Sequence, residues 1–438
     1  MELMMYKPPN LFSSATSSQA ASSSSKASDD LHSFLTRFPS QEFWRFFVER
    51  VRYDIRPAVY RNLYYKFTRS HEETSLAEIK NYFRVNELRI HHLDAFKDPD
   101  VFRFLKAFKA TEKRTELISD IIESDRYDPA WIDFEINEPG YLKQVTKGFC
   151  FVLDHLKART PLDNDFIKKL HEICTSGVAN LLPLTPGAFC DHSVMWRMTH
   201  DMDSLAGLVE SLRYLTALEK NYGFSGIKLV LCYPRDYQGE FYTGFSDILE
   251  NAKQCLRLIE NGVMIYFKKY SSPEKPGILD IFTENLIFEF NDGIEKAKTE
   301  TEKLWCIFAF IKFSVLHHPF ADGVGRTYSM ILLQYLLMRE NLSPFLIFNS
   351  NIIPGYSVNQ LISIYFEGRN EMRKILDAPS FISSSEFYDP NVATHDVLEK
   401  APEELQQMFL ECQQIWEGKV AECLEQPDVG SSLSVSSI

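Results

Sequence analysis

A mainly α fold with a small β element set into it is what the sequence predicts, and three observations carry the prediction. Large apolar residues recur at helical spacing along most of the chain. Two apolar runs without Gly or Pro, Leu304–Leu316 and Tyr328–Met338, have the length of buried helices. Strand-like patterning is confined to short stretches between residues 188 and 270.

The chain has 438 residues, enough for two or three domains with their own cores. A hydrophobic content of 45% and an aromatic content of 13% place it among globular proteins. The net charge of −13 argues against nucleic acid or an anionic membrane surface as a general partner, since either needs a basic footprint. Eight cysteines are scattered with no C-x-x-C pair or zinc spacing, and read as reduced, buried thiols. The first residues, M-E-L-M-M-Y-K-P-P-N, lack the basic and apolar regions of a signal peptide. The longest apolar run is broken by Lys312, so no transmembrane segment is expected.

Taken in order, residues 1–28 form a Ser-rich start that is expected to be disordered, because nothing in it can offset the entropy of ordering. Residues 29–157 read as a helical accessory domain. Phe43, Trp44, Phe47, Val48 and Val51 follow a Pro39-Ser40 cap, and Pro57 opens a helix carrying Val59, Tyr60, Leu63, Tyr64 and Phe67. Leu76, Ile79, Tyr82 and Phe83 continue the pattern, as do Val101, Phe102, Leu105 and Phe108. Such stripes are core-forming. Residues 158–378 form the next unit. Thr160–Leu184 is predicted helical from Phe166, Ile167, Leu170, Ile173 and Cys174, with Pro183 and Thr185-Pro186-Gly187 as the stop. Ala188–Arg197 has no helical period and reads as a small β-hairpin. Ile227–Pro234 is the best strand, Val263–Tyr270 a weaker one, and Phe245–Leu258 between them is helical, so residues 201–290 are a mixed insertion. Beyond Met338 come a turn at Asn341–Pro344, an extended piece at Phe345–Phe348 and a helix at Val358–Phe366. Residues 379–438 are an acidic helix followed by a soft tail, S-S-L-S-V-S-S-I.

Between the two long apolar runs lies His318–Thr327, H-P-F-A-D-G-V-G-R-T. With one helix ending near His317 and the next starting near Gly325 or Arg326, the N–H groups of Gly323, Val324 and Gly325 lie at a helix N-terminus. Unpaired donors and the helix dipole there favour an anion such as phosphate. The two glycines allow positive φ and close approach of an oxygen. Asp322 stands where a hard oxygen ligand for phosphate-bound Mg²⁺ is needed, Arg326 can fork two phosphate oxygens, and His318 can take a proton near neutral pH. Singly these are weak signals, since an Asp near a helix start is usually a cap.

Together, in this order, they resemble the signature of the Fic family, H-x-F-x-[D/E]-G-N-G-R-x-x-R. His318, Phe320, Asp322, Gly323, Gly325 and Arg326 match it. L-D-N-D-F-I-K-K-L-H-E-I-C and L-T-P-G-A-F look like the early Fic helix and the turn into the target-binding flap. S-P-F-L-I-F-N-S-N-I-I-P-G-Y-S-V-N-Q-L is similar to the usual sequel of the second helix, so the resemblance covers residues 160–376, with the insertion inside it. It implies a Fic-type helical core with a hairpin flap, and an enzyme that transfers part of a nucleotide, most often AMP from ATP, to a protein hydroxyl. His318 would be the general base and Asp322 would hold Mg²⁺. The amides of Gly323, Val324 and Gly325 would cradle the phosphates with Arg326, and Phe320 would anchor the loop.

Two positions depart from the family. Val324 replaces an Asn and Ser329 replaces the second Arg. A side-chain hydrogen bond to a charged group is worth ~1.5–3 kcal/mol, so the first change costs affinity or rate without abolishing either. The second weakens the case for ATP held in the usual way and fits another nucleotide donor, with transfer of phosphocholine, UMP or phosphate, or a site reduced to binding. A small-molecule kinase has no Walker loop to support it. The family's inhibitory pattern, [S/T]-x-x-x-E-[G/N], is matched at Ser246–Asn251 and Ser363–Gly368 and nearly at Ser119–Ser124; with Ser329 in place of Arg, no inhibition of that kind is expected. The Glu-rich C-terminal region is similar to that of bacterial effectors exported by a type IV machine, which implies a host-cell protein as target and the host cytosol as destination.

Overall fold

The computed structural model describes, with short interruptions, residues 134–377 and 403–425. The Ser-rich start, the helices expected between residues 43 and 108, the near-match at Ser119–Ser124, the segment 378–402 and the soft tail lie outside the described residues.

The described part is mainly helical. Its helices are α1 (Tyr141–Leu156), α2 (Asn164–Thr175), α3 (Leu205–Tyr222), α4 (Ile248–Glu260), α5 (Ile278–Lys296), α6 (Glu300–His317), a π-helix over Gly325–Leu332 continuing as α7 (Leu333–Arg339), α8 (Val358–Asp377) and α9 (Glu403–Glu425). The strands are β1 (Val194–Met198), β2 (Ile227–Cys232), β3 (Glu240–Phe241) and β4 (Met264–Lys269).

Helix α6 is the axis. Thr299 and Glu302 form a capping box at its start, so both ends of the exchange satisfy amides that the helix cannot. Ile307, Phe308, Phe310, Ile311 and Leu316 are fully buried, which requires neighbours all round, and α5, α7 and α8 supply them. Each large side chain withdrawn from water stabilises the fold by about 1.5–3 kcal/mol, and Phe310→Ala would cost roughly 3–5 kcal/mol. Helix α2 starts at an Asp163 cap whose Oδ1 accepts from Phe166 N at 2.7 Å. It is shorter than the sequence predicts. Gly177, at φ 81, ends it in the left-handed conformation well before Pro183.

The β element also differs from expectation. Among the described residues of Ala188–Arg197, β1 has no hairpin partner. It pairs antiparallel with β4, Val194 opposite Lys269 and Met198 opposite Ile265, and the sheet order is β1-β4-β2-β3. The reason is where the preceding backbone bonds: Cys190 N–H donates to Pro319 O at 2.7 Å, on the His318–Thr327 loop. The insertion therefore supplies the partner strand.

Helix α3 fixes the insertion to the core. A Cβ on Gly207 would lie 1.9 Å from Gly355 O, so only glycine lets α3 approach that turn. Ser204 N–H donates to Gly355 O at 3.1 Å, Ser211 Oγ to Pro354 O at 3.0 Å, and Glu210 accepts from Val358 N at 3.0 Å, capping α8. Below them Lys312, wholly buried mid-helix, donates to Tyr356 O at 2.6 Å and Gly207 O at 3.3 Å. Burial pushes its ammonium down to about 8, with Glu210 and Asp203 opposing the shift. Helix α9 is no free acidic helix. Phe409, Cys412, Trp416 and Val420 are buried, Trp416 meets Phe149 of α1 edge-on at 6.4 Å, and Lys419 pairs with Asp154. Glu403, Glu404, Glu411 and Glu422 face outward. Among the described residues no helix is long and apolar enough to cross a membrane.

Candidate functional site

The His318–Thr327 loop joins α6 to the π-helix as the apolar runs predict, with α6 ending at His317. His318 caps α6 in the left-handed conformation, φ 48 and ψ 61, and its N–H donates to Val315 O at 3.0 Å. A non-glycine residue held there costs on the order of 1 kcal/mol and turns sharply out of the helix. The imidazole is half-buried beside the Trp196 ring, with centroids 4.8 Å apart. Trp196 is held in turn by Phe267 of β4 at 5.6 Å, so the insertion sheet forms one wall against the candidate base. The neighbouring His317 turns inward, its Nε2 hydrogen-bonded to Tyr214 of α3 at 2.5 Å.

Phe320 is fully buried and stacks flat on His171 of α2, with centroids 3.6 Å apart and planes within 1°. It anchors the loop as the resemblance implies. His171 does more than receive it. Its Nδ1 accepts from Gly187 N at 3.0 Å, which leaves Nε2 to donate to Asp322 O at 3.0 Å. Burial pushes the imidazole down to about 4, and Arg326 adds to the shift while the bond to Asp322 O opposes it, so the ring stays neutral at pH 7. One histidine thus ties the entry to β1, the anchor and the loop together.

Asp322 folds one oxygen back on its own turn: Oδ1 accepts from Gly323 N at 2.7 Å. Its Oδ2 is buried and has no hydrogen-bond partner among the described residues, a vacant acceptor that suits a divalent cation. No group of three or more His, Cys, Asp or Glu side chains that could hold a metal comes together among those residues, so a cation here would take further ligands from a bound phosphate. Gly323 has φ 71, and a Cβ would stand 2.6 Å from Thr175 Cγ2. Its amide is already used by Asp322, which removes it from the expected cradle. At Val324 the expectation concerns only the backbone amide. The side chain is 3% exposed and belongs to the main core, so only the backbone can serve a ligand. Gly325 is exposed with nothing within 4 Å of a Cβ, and is the open position of the turn.

Arg326 is buried, not open to solvent. Its Nη2 donates to Glu138 Oε2, and its guanidinium lies over the Tyr141 ring, 5.3 Å from the centroid. Ser329, where the resemblance implies a second arginine, is buried within the π-helix. Glu138 itself is 7% exposed. Burial raises its pKa, the Asp322 charge raises it further, and Arg326 acts against both. Of the two stretches matching the inhibitory pattern, Glu250 faces Lys253 and Arg257 on its own helix α4, at 3.7 and 3.6 Å, and Glu367 is exposed on α8. Glu138, His171, Trp196 and Tyr214 escape a reading of the sequence alone. His171 stands inside the early-helix segment that carries the resemblance, but nothing local marks the others.

No protein-family model matches the chain. A relative is found in Legionella pneumophila: the phosphocholine transferase AnkX is 27% identical over 248 residues, 54% of this chain. The chain spans 25% of the length of that protein. It is a distant homologue of a transferase.

Proposed function

We propose that the chain transfers a phosphate-linked group from a nucleotide donor to a hydroxyl side chain of a protein, and that the group is phosphocholine. The observation that carries the reading is the juxtaposition of His318 with Asp322 Oδ2 and the Gly325 opening on one short loop. His318 takes the proton of the attacking Ser, Thr or Tyr hydroxyl. The hydroxyl oxygen bonds to phosphorus, the bond from that phosphorus to the bridging oxygen breaks, and the nucleoside monophosphate leaves. Asp322 would hold Mg²⁺, whose charge would offset that of the two phosphates. The Val324 and Gly325 amides and Arg326 meet the leaving phosphate.

Two facts favour phosphocholine over AMP from ATP, the version the motif alone suggests. Ser329 offers no cation to a third phosphate, and AnkX, by name a phosphocholine transferase, is the relative at hand. The acidic C-terminal helix extends the reading to a host-cell protein as acceptor.

Intact-mass measurement of the purified chain and of a host lysate, with Mg²⁺ and CDP-choline, UTP or ATP in separate reactions, tests this. A gain of one phosphocholine group with CDP-choline, absent in His318→Ala, is expected. An AMP-sized gain would restore the ATP version, and no His318-dependent gain with any donor would leave a binding protein.

A further inference from the structure

Arg326 is the cation of the loop, and the fold already engages it. Glu138 arrives on a turn that is held on three sides. Glu138 N–H donates to Phe134 O at 2.6 Å, Ala179 N–H to Pro139 O at 3.0 Å, and Glu135 caps α1 by accepting from Gly140 N at 2.5 Å and Leu142 N at 2.8 Å. The carboxylate so delivered meets Arg326 Nη2 in a pair buried on both sides. The guanidinium also reaches the turn, since Arg326 Nε would be 3.6 Å from a Cβ on Gly323. One edge of the arginine thus faces Glu138 and another faces the loop.

Charge now decides what can enter. The buried Glu138 carboxylate lies directly on the guanidinium that a phosphate would have to reach. We infer that Glu138 is a specificity-determining residue that holds Arg326 in place and competes with the donor's phosphates for it, so that each added phosphate charge is admitted less readily. A donor with two esterified phosphates and a fixed positive group meets little opposition, whereas a triphosphate meets the Glu138 carboxylate with half of the arginine already engaged. For the identity of the donor this rests on the transfer reading above; the competition for Arg326 does not need it.

The test is binding without turnover. Calorimetric titration of the full chain with pyrophosphate, ATP and CDP-choline, each in Mg²⁺ and with no acceptor protein present, compares wild type with Glu138→Gln and Glu138→Asp. Glu138→Gln removes the competing charge and keeps the shape. It should bind pyrophosphate about tenfold tighter and gain more for ATP than for CDP-choline. Glu138→Asp, which withdraws the carboxylate from the guanidinium, should tighten pyrophosphate by less, and it carries the test if Glu138→Gln does not fold. Unchanged or weaker pyrophosphate binding in the variants would show that Glu138 only orients Arg326, and would overturn the inference. Tighter pyrophosphate binding in Glu138→Gln, with no group transferred from any donor, would sink the transfer reading and leave this one standing.

Discussion

The two halves of the His318–Thr327 loop have been treated differently by the fold. The first half, His318–Asp322, is pinned through its backbone and its phenylalanine, and it carries a half-buried imidazole and a carboxylate oxygen with no hydrogen-bond partner among the described residues. The second half, Gly323–Arg326 with Ser329 beyond, is largely occupied. Asp322 holds one amide, the Val324 side chain is core, Arg326 has a carboxylate, and Ser329 is sealed. Under the transfer reading proposed above, proton and metal chemistry would fall to the first half and a restricted anion grip to the second. Possession of a motif therefore says less than which of its atoms the rest of the chain has already used.

The largest expected effect tests the first half alone. His318→Ala should lower transfer by about 10²–10⁴-fold, the usual worth of a general base, with little change in urea midpoint. An equal loss of stability would make His318 a structural cap. In the second half, Arg326→Met strands Glu138 as a buried charge and should cost about 3–5 kcal/mol in urea unfolding. Adding Glu138→Gln should recover most of that, and a double variant no more stable than Arg326→Met would show that the pair is not coupled.

A pH experiment sharpens how the first half is held. His171 titrates at about 4 in the fold and near 6.5 when unfolded. Below 6.5 the unfolded chain therefore binds more protons. Its contribution is complete above pH 6.5 and is lost as pH falls towards 4, for a total of roughly 3 kcal/mol. The difference between wild type and His171→Gln should shrink over that window, and a pH-independent difference would count against a neutral, tautomer-locked ring. The smallest effect is expected from Glu250→Gly: within ~1 kcal/mol of wild-type stability and no gain of activity, because among the described residues the ion pairs of Glu250 lie within α4. A marked gain would mean that this helix does restrain the site.

What is legible in the sequence depends on where each contact comes from. The loop and its flanking helices are legible because their residues are contiguous and the apolar runs cannot be exposed. Asp322 and Phe320 themselves lie within that reach, though the ring that Phe320 stacks on, His171, does not. Glu138, Trp196 and Tyr214 are not legible, because each reaches the loop from an element more than a hundred residues away along the chain. The inward turn of Val324 depends on which face of the π-helix meets α1 and α2, and no spacing rule marks that face. The C-terminal acidic helix misleads in a similar way. Counting its glutamates hides the stripe of Phe409, Cys412, Trp416 and Val420 that docks it.

The pairing of β1 with β4 has a consequence in time. β1 is made early in the chain, but its partner strand comes only after α3 and α4 have been traversed. Such a non-local closure loses chain entropy before any contact offsets it, so it falls late in folding. Until then Trp196 has no Phe267 to lean on, and the wall beside His318 is incomplete. A newly made chain can therefore have its helical core in place before the wall beside His318 is complete, and under the proposed function transfer activity should trail the burial of α6.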